Sequence, residues 1–207
     1  MNVVLSTALY FVALINPLSK VFLLSGLSGQ MPPRELRLLS VRSSAVALGI
    51  LLAFAAFGPF LLRSFFQVEL YSFQVAGGVV LFTIGLKALM KGVFFEVEDK
   101  SKLADVSIVP LASPMIAGPG TITAVVSFSA QHGLAVASTA MVAAVIANLA
   151  VMLLSGPISR ALLSHNLMGA LIRITGLVVA TIAVQMIFDG LLASGLFGAL
   201  AAGAPAR

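Results

Sequence analysis

The chain contains no cysteine and no tryptophan, and only 9% of its residues are charged. Without cysteine there is no disulfide, no thiolate nucleophile and no thiolate metal site. Two histidines, His132 and His165, are too few and too far apart for a metal cluster. The shortage of charge excludes more. A soluble domain carries charge on about a quarter of its residues, and a disordered one combines abundant charge with poor hydrophobicity. Neither description fits. Basic residues outnumber acidic ones, 12 to 7, but they are strewn singly between apolar runs. They form no stripe that could follow a phosphate backbone, so no nucleic-acid partner is expected. Tyr10, Tyr71 and scattered phenylalanines are left to supply the interfacial aromatic belt that tryptophan usually dominates.

What remains is apolar: 60% of the 207 residues are hydrophobic, and the mean hydropathy is +1.12. A helix needs roughly 20 largely apolar residues to cross hydrocarbon. Six windows qualify, at about 3–28, 39–62, 71–90, 107–130, 135–156 and 171–197. No basic residue precedes the first, which reads as a retained helix rather than a cleaved signal. The runs lack the two-residue alternation of a membrane β-barrel. A single membrane domain over 1–207, all-α and in contact with lipid, is the expectation.

Charge between the windows sets direction. Arg34, Arg37, Arg42, Lys87, Lys91, Lys100, Lys102, Arg160 and Arg173 fall on one side, against Arg63 and Arg207 on the other. The positive-inside rule places the nine-residue side in the cytoplasm and both termini outside.

The windows also repeat. Leu14-Ile15-Asn16-Pro17-Leu18 resembles Leu111-Ala112-Ser113-Pro114-Met115, and Gly58-Pro59-Phe60 resembles Gly156-Pro157-Ile158. The stretch from Ala76 resembles that from Thr175, and all three matches keep a separation of 97 to 99 residues. Residues 1–98 and 99–207 then form two repeats of three helices. Three is odd, so the second must be inverted relative to the first, as in many secondary transporters.

Helix breakers sit at matching places in the first and fourth windows. Pro17 and Pro114 each remove a backbone donor and free a carbonyl, and such backbone survives at depth only inside protein or beside a watery cavity. Asn16 and Ser113 therefore stand beside carbonyls suited to a cation or a solute ammonium. In Gly118-Pro119-Gly120 an unwound turn is expected, with Thr121 opening a new half-helix whose free N–H groups suit a carboxylate. Thr123 adds a hydroxyl. The proline breaks could instead be simple kinks, and the Gly118-Pro119-Gly120 turn a re-entrant structural loop closing the protein core.

No acidic residue lies near mid-membrane, so proton coupling lacks a carrier. A sodium ion held by carbonyls, Asn16, Ser113 and threonine hydroxyls is the candidate coupling ion, uncoupled passage is equally compatible, and no other cofactor is expected. Lys20, one turn past Asn16, is cheapest to place by snorkelling to the cytoplasmic interface; otherwise it faces the cavity as a counter-charge. Gln74, Asn148 and Gln185 would extend an internal polar network with it, or each could make a lone helix–helix hydrogen bond.

These residues resemble the MarC family of bacterial inner-membrane proteins, also called UPF0056. The likeness lies in Asn16-Pro17-Leu18, Gly26-Leu27, Gly29 and Ala76-Gly77-Gly78. It continues through Val109-Pro110-Leu111-Ala112, Pro114, Ala117-Gly118-Pro119-Gly120-Thr121-Ile122, Gly176, Gln185 and Gly190. The resemblance implies six spans in the plasma membrane and, from some relatives, transport of small neutral amino acids such as glycine and alanine. Many relatives carry glycine where this chain has Ser19 and proline near Phe22, and Lys20 is unusual there.

The leading expectation is a secondary transporter of a small neutral solute, working by alternating access between inverted halves. The alternative is a non-transporting membrane protein with a structural or partner-binding role. An enzyme is not expected, since the serines have no base and no H-E-x-x-H is present. A homodimer is compatible with the sequence but not required by it.

Overall fold

A computed structural model describes residues 3–29, 31–92, 115–164 and 167–195. The first apolar run folds as two helices, α1 (Val3–Ile15) and α2 (Pro17–Leu27), which together make one broken span. Pro17 sits at the first position of α2, where its missing N–H costs nothing. Then come α3 (Pro33–Phe60) and α4 (Leu70–Lys91), and after the undescribed residues α5 (Pro119–His132), α6 (Leu134–Leu153), α7 (Ser155–Ser164) and α8 (Met168–Ala193). Among the described residues, Val3–Leu27, Pro33–Phe65, Leu70–Lys91, Leu134–Leu153 and Met168–Ala193 are long and apolar enough to cross a membrane. The fourth expected window keeps only α5, which at 14 residues is too short to span alone. Its start at 107–114 lies outside the described residues.

The helices α3, α4, α6 and α8 each bury a narrow face and leave the rest largely apolar and exposed, as lipid contact requires, whereas α5 is buried around most of its circumference. Phe57, Phe60, Phe65 and Phe66 project from the C-terminal end of α3 and the turn beyond it. Two Gly-Pro pairs with the same sequence pattern behave differently. Pro59 stays inside α3, which widens only afterwards into a π-helical turn at Leu61–Phe65. Pro157 lies in the first turn of α7, after α6 has ended at Leu153. Gly58 is pressed against Val126 of α5, while nothing crowds Gly156.

The most extensive helix contact is between α4 and α8. Glycines make it possible. A Cβ on Gly85 would lie 2.6 Å from the Ala180 nitrogen, and one on Gly176 would lie 2.8 Å from Ala88 Cβ. Elsewhere α1 packs on α6 and α3 on α5. In terms of the two expected repeats, the first helix of each half lies against the second helix of the other.

Buried hydroxyls tie the helices together. Ser129 Oγ on α5 donates to the Ala55 carbonyl on α3 at 2.6 Å. Ser129→Ala is expected to destabilise the detergent-solubilised protein by about 1 kcal/mol, the usual scale of an interhelical bond in membranes. A thermal-denaturation curve beside the parent protein measures it.

Candidate functional site

The two breaks line one cavity. Asn16 has φ 54° and ψ 77°, a left-handed conformation. Pro17 keeps the residue before it out of the right-handed helical region, and asparagine is one of the few side chains that accept the left-handed one. Its N–H closes α1 on Val12 at 2.9 Å, and its carbonyl receives the Ser19 N–H and the Ser19 hydroxyl, the latter at 2.8 Å. Its amide Nδ2 is buried with no partner. At the second break Gly118 is extended and caps α5 with no side-chain hydrogen bond. The helix begins at Pro119 rather than at Thr121, because proline is pre-set for the first helical position and Gly120 need not unwind. Asn16, Ser19 and Lys20 share with Gly118, Pro119, Gly120 and Thr121 a cavity of about 30 Å³.

Lys20 does not snorkel. It is 1% exposed, and its ammonium donates to the Ile15 carbonyl and, at 2.7 Å, to the Met115 carbonyl. The reason is directional. A helical side chain leans toward the N-terminus of its own helix. On α2 that lean carries Lys20 back over the break, away from the basic end of the bundle. Ile15 ends α1, so the ammonium also meets the negative end of that helix's dipole.

Other expected site residues are placed differently. Thr123 is buried, but its Oγ1 donates to the Pro119 carbonyl at 2.9 Å, and its side chain fills the space left by Gly77. It supports the break without lining the cavity. Ser113 and Pro114 lie outside the described residues. The four-residue polar network is not joined. Gln185 is exposed and its Nε2 donates to Asp189 at 2.7 Å. Asn148 is fully buried, with Nδ2 toward the Met152 sulfur at 3.2 Å and Oδ1 unpartnered. Gln74 belongs to another cavity altogether.

That cavity, of about 500 Å³, lies among Arg63, Glu69, Tyr71, Gln131 and Asp189 at the end of the bundle where α3 finishes. A second, of about 510 Å³, lies where α3 begins and is bordered by Ser25, Ser28, Arg37, Ser40, Ser159 and Arg160. In it Ser25 Oγ and Ser159 Oγ share a 2.6 Å hydrogen bond. Neither cavity is evident from the sequence, where their residues read only as helix ends. The one available signal is polar residues at helical spacing, as in Ser25 and Ser28 or Arg37 and Ser40.

Apolar helices of spanning length around a broken core define a multi-pass integral membrane protein. The chain belongs to the MarC family of integral membrane proteins, whose sequence profile matches residues 1–194. It is 34% identical over 187 residues to a UPF0056 membrane protein of Pyrococcus horikoshii, covering 90% of this chain and 92% of that one. It is 31% identical over 198 residues to the Bacillus subtilis UPF0056 membrane protein YvbG, covering 91% and 92%. The Escherichia coli UPF0056 inner membrane protein YhgN is 27% identical over 197 residues, covering 92% and 97%. No solved structure matches.

Proposed function

We propose that this protein is a secondary transporter of a small neutral solute, small neutral amino acids foremost, working by alternating access between two inverted three-helix halves. The observation that carries the reading is the meeting of both helix breaks at one small central cavity, with a wide cavity toward each end of the bundle. The three cavities share no lining residue, so a solute would pass from either wide cavity to the breaks only when the halves part. At the centre the unpartnered Asn16 amide and the uncapped start of α5 offer N–H donors to a carboxylate. The reciprocal packing of α1 on α6 and α3 on α5 supports the inverted repeat. The bundle end bearing Arg34, Arg37 and Arg160 is taken as cytoplasmic, and the inner membrane as the location, by likeness to the inner membrane protein YhgN.

The central cavity has room for about one or two waters, so even glycine requires the halves to part. The same small volume favours the second reading, a structural or partner-binding membrane protein whose centre stays shut.

Uptake of labelled glycine and alanine into proteoliposomes separates the two. Accumulation above empty liposomes is expected. In folded Thr121→Ala protein the initial rate should fall roughly 3–10-fold, the equivalent of one lost hydrogen bond. If folded wild-type protein moves neither solute, the amino-acid assignment is lost. If a wider panel of small solutes also stays out, the structural reading takes its place.

A further inference from the structure

Lys20 is held by backbone carbonyls on both sides of the cavity. Its ammonium joins Ile15, the last residue before the first break, to Met115, three residues before the second. The two carbonyls come from opposite halves of the chain. None of the residues lining the cavity is acidic. Among the described residues the carboxylates are Glu35, Glu69 and Asp189, all near helix ends. Among the described residues the ammonium is therefore solvated by carbonyl dipoles and not by a counter-ion. Rings of carbonyls are how proteins replace the hydration shell of an alkali cation. Here a cation already stands at the carbonyls, attached to the chain one turn away.

We infer that Lys20 is a resident cation: its ammonium occupies a carbonyl site between the two breaks that would otherwise take a sodium ion, so the site needs no metal cation while Lys20 is present. A tethered group competes at a very high effective concentration, and a dissolved ion at ordinary ionic strength does not displace it. Removal of the side chain leaves two inward-facing carbonyls beside a cavity that already has water-sized room. A small cation then has both ligands and space. The bearing of this on transport, namely uptake independent of a sodium gradient, rests on the reading above. The cation site itself does not.

The test is therefore a binding measurement that needs no transport. Melting temperatures are taken for the purified full chain and for Lys20→Ala and Lys20→Met, each in matched sodium, potassium, methylammonium and N-methylglucamine chlorides. Wild-type protein should melt at the same temperature in all four. Lys20→Ala should melt roughly 5–10 °C lower in N-methylglucamine, a cation too bulky for the cavity. At least half of that loss should return, saturably, with sodium or methylammonium. Lys20→Met, which refills the space without charge, should respond less. Saturable stabilisation of the wild type by sodium would overturn the inference, because the site would then be open to the ion. So would a folded Lys20→Ala that ignores every cation. So would failure of Lys20→Ala to fold in any of the salts, since a small cation must be able to take the place of the ammonium. Rescue of the variant by sodium alongside a wild type that moves no solute would preserve the cation site and remove the transport reading.

Discussion

Gly85→Leu is expected to cost about 3 kcal/mol or more and to lower the melting temperature of the solubilised protein by roughly 6–12 °C. The obstacle is backbone. A Cβ at Gly85 lies 2.6 Å from the Ala180 nitrogen and 2.8 Å from the Gly176 carbonyl oxygen. Neither atom can swing aside as a side chain would, so α4 and α8 must separate and surrender part of their shared surface. Gly49→Leu supplies the comparison. Nothing lies within 4 Å of a Cβ there, and the residue is exposed on the lipid side of α3. Its effect should stay within about 0.5 kcal/mol. Equal melting of the two variants would mean that the close approach of α4 and α8 is not maintained in the membrane protein.

Asn16→Gly is expected to melt slightly higher than the parent, by about 2–4 °C, and to lose at least roughly tenfold in uptake rate. Three terms set the stability. Glycine relieves the left-handed strain at φ 54°, which for asparagine is smaller than the about 1–2 kcal/mol that most side chains incur. It also deletes a buried donor without a partner, worth about 1–3 kcal/mol. Against these stand the greater flexibility of glycine in the unfolded chain, about 0.5–1 kcal/mol, and the cavity left by the missing side chain. The uptake loss follows from removing a donor that the solute carboxylate would meet. A tighter fold with lost uptake is what a binding group held under strain should give. Unchanged uptake in the stabilised variant would show that Asn16 serves shape alone. Melting curves and proteoliposome flux on the same preparations decide it.

Much of this architecture was legible in the sequence because lipid imposes a coarse rule that apolar runs obey. The windows at 3–28, 71–90 and 135–156 agree with the helices to within a few residues. The break at Asn16-Pro17 and the one at Gly118 were readable because proline and glycine act locally, through dihedral angles and missing donors. Side-chain direction was less accessible. Lys20 was expected at the interface, where a charge is cheapest in isolation, yet helical lean and two freed carbonyls hold it at the break. Thr123 looked like a ligand from its spacing, but its hydroxyl is used by Pro119. The short helix α7 is not separable in the sequence, because its Gly-Pro start resembles the pair inside α3, and it is tertiary contact with Val126 that marks Gly58 and is missing at Gly156.

The glycine seam between α4 and α8 also limits how the molecule can move. Gln74, Gly77, Gly78, Leu81, Gly85 and Ala88 form the buried face of α4. A slide of one helical turn along α8 would carry Leu81 to the place where Gly85 now admits only a hydrogen atom. Translation is therefore blocked sterically. Rotation about the contact is not, because glycine backbones present a smooth surface with nothing to disengage. The seam behaves as a pivot: if the two halves exchange access, they do so by rocking about it, and elevator-like sliding of one half past the other is the motion this packing forbids.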